Sequence, residues 1–137
     1  MDHFRSRHSK GWRDSGRAYN ASLQDLLLEV NIGREASKSG FPEEQIPEIL
    51  ARMEDFPACR VLGLMAIPPV CERPGENCRY FDKMRNLFVD INTKKYDNNL
   101  EPVLSMGMSA DFEDAIRCGS TMVRLGTAIF GPRNYNV

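Results

Sequence analysis

The chain has 137 residues, 42% of them hydrophobic and 27% charged, with a formal net charge of -1. This size and balance fit one globular unit with its own core and exclude a bare charged tail or a coiled coil. A phosphate-binding surface for nucleic acid needs a basic excess that is missing here. No apolar run approaches the roughly 20 residues that cross a bilayer, and no apolar signal stretch opens the chain, so a cytoplasmic protein without a membrane partner is expected.

Residues 1–22 carry no sustained apolar period; Trp12 stands among charges, glycines and serines. They read as a leader. Arg5, Arg7, Lys10, Arg13 and Arg17 outnumber Asp2 and Asp14 there, which fits either a weak polyanion-binding arm or a solvated, disordered segment. The folded domain is expected over 23–137. Leu26, Leu27, Leu28, Glu29 and Val30 make a short apolar run ending at Asn31-Ile32-Gly33, the pattern of a strand covered on both faces. Beyond a polar loop, Pro42, Glu43 and Glu44 suit a helix start, and Ile46, Ile49, Leu50 and Met53 form its buried stripe.

A second strand is expected from Val61 to Ile67, stopped by Pro68-Pro69. A loop rich in Pro, Gly and Cys runs to about Asn77. Tyr80, Phe81, Met84, Leu87, Phe88 and Ile91 then recur at helical spacing, and residues 94–102 read as a polar turn. Val103 to Met108 is a third strand candidate. Ser109 is placed to cap the helix that follows, with Ala115 and Ile116 facing inward and Gly119 ending it. Met122 to Leu125 is a fourth strand, running into Gly126-Thr127.

Strand and helix thus alternate about four times, which specifies right-handed βαβ units and a parallel sheet. The fold class is α/β, and four units are half of a (β/α)8 TIM-type barrel. A flavodoxin-like sheet is the rival, but the Gly-rich phosphate loop expected after its first strand is missing.

The inventory narrows the chemistry. His3 and His8 are the chain's two histidines, so the folded body holds no histidine triad or histidine metal cage. Cys59, Cys71, Cys78 and Cys118 form no Cys-x-x-Cys pair, which leaves free thiols and no zinc site or thioredoxin-like motif. In a parallel α/β array, ligands bind at the carboxyl ends of the strands. Four segments qualify there: 31–40, 66–69, 105–109 and 124–127. The last two offer serine hydroxyls, a helix start and a Gly-Thr turn, a set of donors that suits a phosphate. Gly107 and Gly126, lacking Cβ atoms, let backbone come close to an anion. Ser105 and Ser109 read equally well as a strand hydroxyl and a helix cap. Arg124 lies inside an apolar strand and must find an acceptor or water; Lys38 is either a solvated loop lysine or an anion contact. Met65, Met106 and Met108 read as core filler.

The run Ser105-Met106-Gly107-Met108-Ser109-Ala110-Asp111-Phe112, with Val123-Arg124-Leu125-Gly126-Thr127-Ala128-Ile129-Phe130-Gly131, resembles the C-terminal signature of the pyridoxal phosphate homeostasis proteins. Val30-Asn31-Ile32-Gly33, Ser37-Lys38-Ser39-Gly40 and Gly63-Leu64-Met65-Ala66-Ile67-Pro68 match that family in the same order, so the resemblance covers about Leu26 to Tyr135. It implies a barrel similar to the N-terminal domain of alanine racemase that holds pyridoxal 5′-phosphate (PLP) without established turnover. It also implies cofactor-binding positions at Ser105, Met106, Ser109, Arg124, Gly126 and Thr127. The serines and the Gly-Thr turn would hold the phosphate, and Arg124 would approach the pyridine nitrogen.

The resemblance places the family's covalent lysine on a first strand that these residues do not match, so a site reduced to phosphate binding is expected. A racemase-like enzyme and a bare interaction module or nonfunctional remnant are the competing readings. Four parallel strands also leave two open edges, and the expectation is a truncated product or pairing with a copy of itself.

Overall fold

The computed structural model describes residues 24–95 and 102–136; the leader expected over 1–22 and most of the turn expected over 94–102 lie outside them. Strand β1 (Gln24–Glu29) leads through a 3-10 turn into helix α1 (Ile46–Arg52), then come β2 (Cys59–Met65), α2 (Cys78–Lys95), β3 (Val103–Met108), α3 (Phe112–Arg117), β4 (Met122–Arg124) and the short helix α4 (Thr127–Phe130). The strands form one parallel sheet in the order β1-β2-β3-β4. That is the expected α/β half-barrel arrangement, with neighbours in space following neighbours in sequence. Helix α2 runs to Lys95, two residues into the stretch expected to turn.

Register explains the core. Leu28 pairs with Leu64 and Leu64 with Leu104, so the three side chains share one face of the pleated sheet. All three are buried in a single cluster with Phe81, Met84, Phe88 and Ile91 of α2. The 3-4-3 spacing of those α2 residues keeps one helical stripe on the sheet. Glu29, Met65, Ser105 and Met122 form the neighbouring row, also in register. Period two turns that row to the opposite face, which would look into a closed barrel.

Helix α3 shows how local rules were overridden. Its N-cap is Asp111, not Ser109, because Ser109 lies too far upstream and its hydroxyl is engaged elsewhere. Ala115 is fully buried, but Ile116 is 53% exposed, correcting the expectation that both face inward: successive helical residues are about 100° apart, and only Ala115 meets the sheet. The helix ends as expected, with Gly119 at a φ of 100°. The Gly119 and Ser120 N–H groups donate to the carbonyls of Ile116 and Ala115, the paired closure that a left-handed glycine permits.

A bulge interrupts β3 between Ser105 and Met108. Gly107 sits in it with a φ of 98°. A Cβ there would stand 2.5 Å from that of Ala115, so this glycine serves the packing of α3 on the sheet. Its role differs from the anion approach expected for it.

Candidate functional site at the carboxyl ends of the strands

The four segments that follow the strands are fastened to one another by specific polar contacts. Val30 forms a parallel bridge with Phe41, closing the loop 31–40 on itself. Within it, Asn31 accepts from the Glu35 N–H and donates to the Glu35 carbonyl. Lys38 Nζ then donates to the Pro68 carbonyl at 3.1 Å and pairs with Glu35 at 2.6 Å. This lysine braces the first strand-end loop against the second.

Arg124 makes the next tie. Its Nη2 donates to the Ala66 carbonyl at 2.9 Å, so the side chain reaches from the end of β4 across β3 to the residue after β2. Its Nε is buried without a partner. Ser105 is 1% exposed, and its hydroxyl is likewise without a hydrogen-bond partner. An unmatched buried donor costs about 1–3 kcal/mol, and two such atoms near one set of strand ends are what a ligand acceptor would relieve.

Ser109 joins β3 to β4. Its Oγ accepts from the Gly126 N–H at 3.2 Å and the Ala128 N–H at 3.0 Å. With both lone pairs taken, the hydroxyl proton must point away from these amides, and accepting two bonds strengthens it as a donor. Thr127 stands between the two amides at the start of α4 and is exposed. A Cβ built on Gly126 meets no other part of the chain within 4 Å, so the approach to this turn is open. A hydroxyl aimed outward beside an open Gly-Thr turn suits a phosphate oxygen.

Asp111 holds this corner in place. Its Oδ1 accepts from the Met108 N–H at 2.9 Å and its Oδ2 from the Asn77 amide at 2.8 Å. Asn77, 3% exposed, also donates to the Pro69 carbonyl and carries the carbonyl that receives the Phe81 N–H of α2. The sequence placed Asn77 at a loop end and Asp111 in the family-like run, and gave neither this bracing role. Asn77, just before an apolar helical stripe, was the available signal for a helix boundary, but its link to Asp111 spans 34 positions.

The structure therefore ties Ser109 to the Gly126-Thr127 turn, while Arg124 ends β4 and reaches Ala66, and Ser105 lies buried within β3. Met106 differs: its side chain is fully buried in the helix-side core, which leaves only its backbone toward the sheet, and its carbonyl accepts from the Ser120 hydroxyl at 2.7 Å. Among the described residues, no group of His, Cys, Asp or Glu could hold a metal ion, and no helix is long and apolar enough to cross a membrane. All four cysteines are free thiols.

The family model described as alanine racemase, N-terminal domain, matches residues 8–134. That match opens inside the stretch read as a leader. The pyridoxal phosphate homeostasis protein of Aquifex aeolicus is 46% identical over 116 residues, 85% of this chain and 50% of the relative. Its Haemophilus influenzae counterpart is 41% identical over 120 residues, 88% and 50%. Among solved structures, PipY of Synechococcus elongatus without PLP superposes with a TM-score of 0.69 at 27% identity, over 80% of this chain and 50% of that one. PipY with PLP bound gives 0.63 at 26% identity, over 78% and 49%. The chain spans about half the length of these relatives.

Proposed function

Since the chain belongs to the alanine racemase N-terminal domain family, we propose that it acts as a pyridoxal phosphate homeostasis protein and binds PLP at the ends of β3 and β4. Its role is then to hold the cofactor for homeostasis inside the cell, without turnover. The observation that carries this reading is the Ser109 hydroxyl held by the Gly126 and Ala128 amides, beside an unobstructed Gly126.

The residues fit the cofactor. Ser109 Oγ–H, the Thr127 hydroxyl and the Gly126-Thr127 backbone are the phosphate donors. Arg124, anchored by Ala66 and keeping one buried Nε unmatched, is the group for the pyridine nitrogen. Ser105, with its unmatched buried hydroxyl, lines the same ends. When bound, PLP supplies an electrophilic aldehyde and an electron-withdrawing ring. A guanidinium donating to the ring nitrogen keeps that nitrogen unprotonated and weakens the ring as an electron sink, which suits storage better than catalysis. Lys38 is committed to Glu35 and Pro68 and is not assigned a covalent role.

The test is calorimetric titration of the chain with PLP, with inorganic phosphate as competitor, followed by borohydride reduction and peptide mapping. Saturable binding displaced by phosphate, with Lys38 unlabelled, is the expected result. Absence of saturable binding overturns the proposal.

A further inference from the structure

Two of the four free thiols meet between helices, away from the strand ends. Cys78 is the first residue of α2 and Cys118 is the C-cap of α3. Backbone ties fasten these two points to each other. The Gly75 carbonyl accepts from the Cys78 N–H, the Asp114 carbonyl accepts from the Cys118 N–H, and the Gly75 N–H donates to the Asp114 carboxylate at 2.8 Å. Asn77, the residue before Cys78, reaches Asp111 at 2.8 Å. Just past Cys118, a Cβ built on Gly119 would stand 3.1 Å from the Arg85 Cδ of α2. Cys78, Asp82 and Arg85 are spaced by four and three residues and so share one face of α2. That face lies along the end of α3, where the Cys118 thiol is in hydrogen-bonding contact with Cys78 and with Asp82. Both cysteines are half-buried, and Cys118 packs against the core cluster.

We infer that Cys78 and Cys118 form a reversible disulfide on reaction with small disulfides of the glutathione type, and that this bond clamps α2 onto α3. The Cys78 thiolate attacks one sulfur of the oxidant, forming a mixed disulfide and expelling one thiolate. Cys118 then gives its proton to solvent, and its sulfur attacks the Cys78 sulfur and expels the second thiolate. The protein gives up two electrons and two protons, and the oxidant leaves as two thiols. The order follows from the surroundings of Cys118. Burial first, then the Cys78 sulfur and Asp82, push its pKa up to about 12, so it keeps its proton while Cys78 reacts. Capping Cys78 removes that sulfur's charge from beside Cys118 and eases the second attack. The resulting clamp sits one residue from Asn77, whose amide braces Asp111 and the Met108 N–H behind it. The pair lies between two helices, so the inference stands or falls in protein free of PLP.

The experiment equilibrates the folded chain with graded mixtures of oxidised and reduced glutathione, blocks the remaining thiols with iodoacetamide, and maps the peptides without reduction. The expected product is a Cys78 to Cys118 linked peptide pair that accumulates as the mixture becomes more oxidising and disappears with dithiothreitol. Closing the loop from 78 to 118 restricts the unfolded chain, so the melting temperature should rise by about 10 °C or more in the oxidised protein. Cys118→Ser should stop at a glutathione mixed disulfide on Cys78, and Cys78→Ser should leave Cys118 unmodified over the same time. In the parent chain, free thiols or unresolved mixed disulfides at both positions under the most oxidising mixture overturn the inference. So does linkage of either residue mainly to Cys59 or Cys71, or a Cys78 to Cys118 link that forms as fast in the urea-unfolded chain.

Discussion

The Ser109 hydroxyl oxygen lies 3.2 Å from the amide nitrogen of Gly126, a contact between residues that end two adjacent strands. The same oxygen receives the Ala128 N–H, so a single side chain both sets the conformation of the Gly-Thr turn and presents its proton outward. Ser109→Ala removes the acceptor for two amides and the outward donor together. At about 0.5–1.5 kcal/mol per neutral bond, the expected effect is roughly tenfold weaker binding of both PLP and inorganic phosphate. Ser109→Thr, which restores a hydroxyl, should recover most of it. Titration of the three proteins with each ligand checks the prediction.

Arg124 should behave differently, because its guanidinium is fixed to Ala66 and lies on the ring side of the proposed site. Arg124→Gln is expected to weaken PLP binding by about tenfold, the loss of one charge-assisted bond, while inorganic phosphate binds within about twofold of the parent. Equal losses for both ligands would place Arg124 at the phosphate instead.

The strands were legible because each is a short apolar run bounded by turn residues, and Val103–Met108 coincides with its expected span. The same runs were read as covered on both faces, whereas the helices of this chain cover one. Periodicity reports that a strand is apolar and says nothing of what covers its second face. The site residues on the chain's own strand ends were legible from donor chemistry and family likeness. Their connections were not, since Ser109 to Ala128, Arg124 to Ala66 and Asn77 to Asp111 are separated by 19, 58 and 34 positions. Ser109 obeyed a long-range partner over the local capping rule, and Met106 obeyed the core.

Gly107 provides a stability test of the bulge. Its φ of 98° disfavours any side chain, and a Cβ would stand 2.5 Å from that of Ala115 and 3.1 Å from the Phe112 Cα. Gly107→Ala is expected to destabilise by about 2–4 kcal/mol, combining backbone strain with overpacking. The denaturant midpoint should fall with little change in slope. Gly126→Ala, where a Cβ meets nothing within 4 Å, should leave the midpoint nearly unchanged and lower phosphate affinity by crowding the turn.

The thiols give a prediction with a defined pH window. Burial, followed by the neighbouring Cys78 thiol and the charge of Asp82, pushes Cys118 up from 9.0 to about 12. A raised pKa means that the folded state favours the neutral thiol. Its contribution to stability is whole below pH 9 and is lost as the pH climbs from there toward about 12. Replacement by alanine should therefore flatten the alkaline decline of stability within that window. Reactivity follows the same thiolate scarcity, so alkylation of Cys118 in the folded chain should run slower than in the denatured chain. Timed iodoacetamide labelling with peptide mass spectrometry measures the ratio, and equal rates in the two states would show that Cys118 is open to solvent.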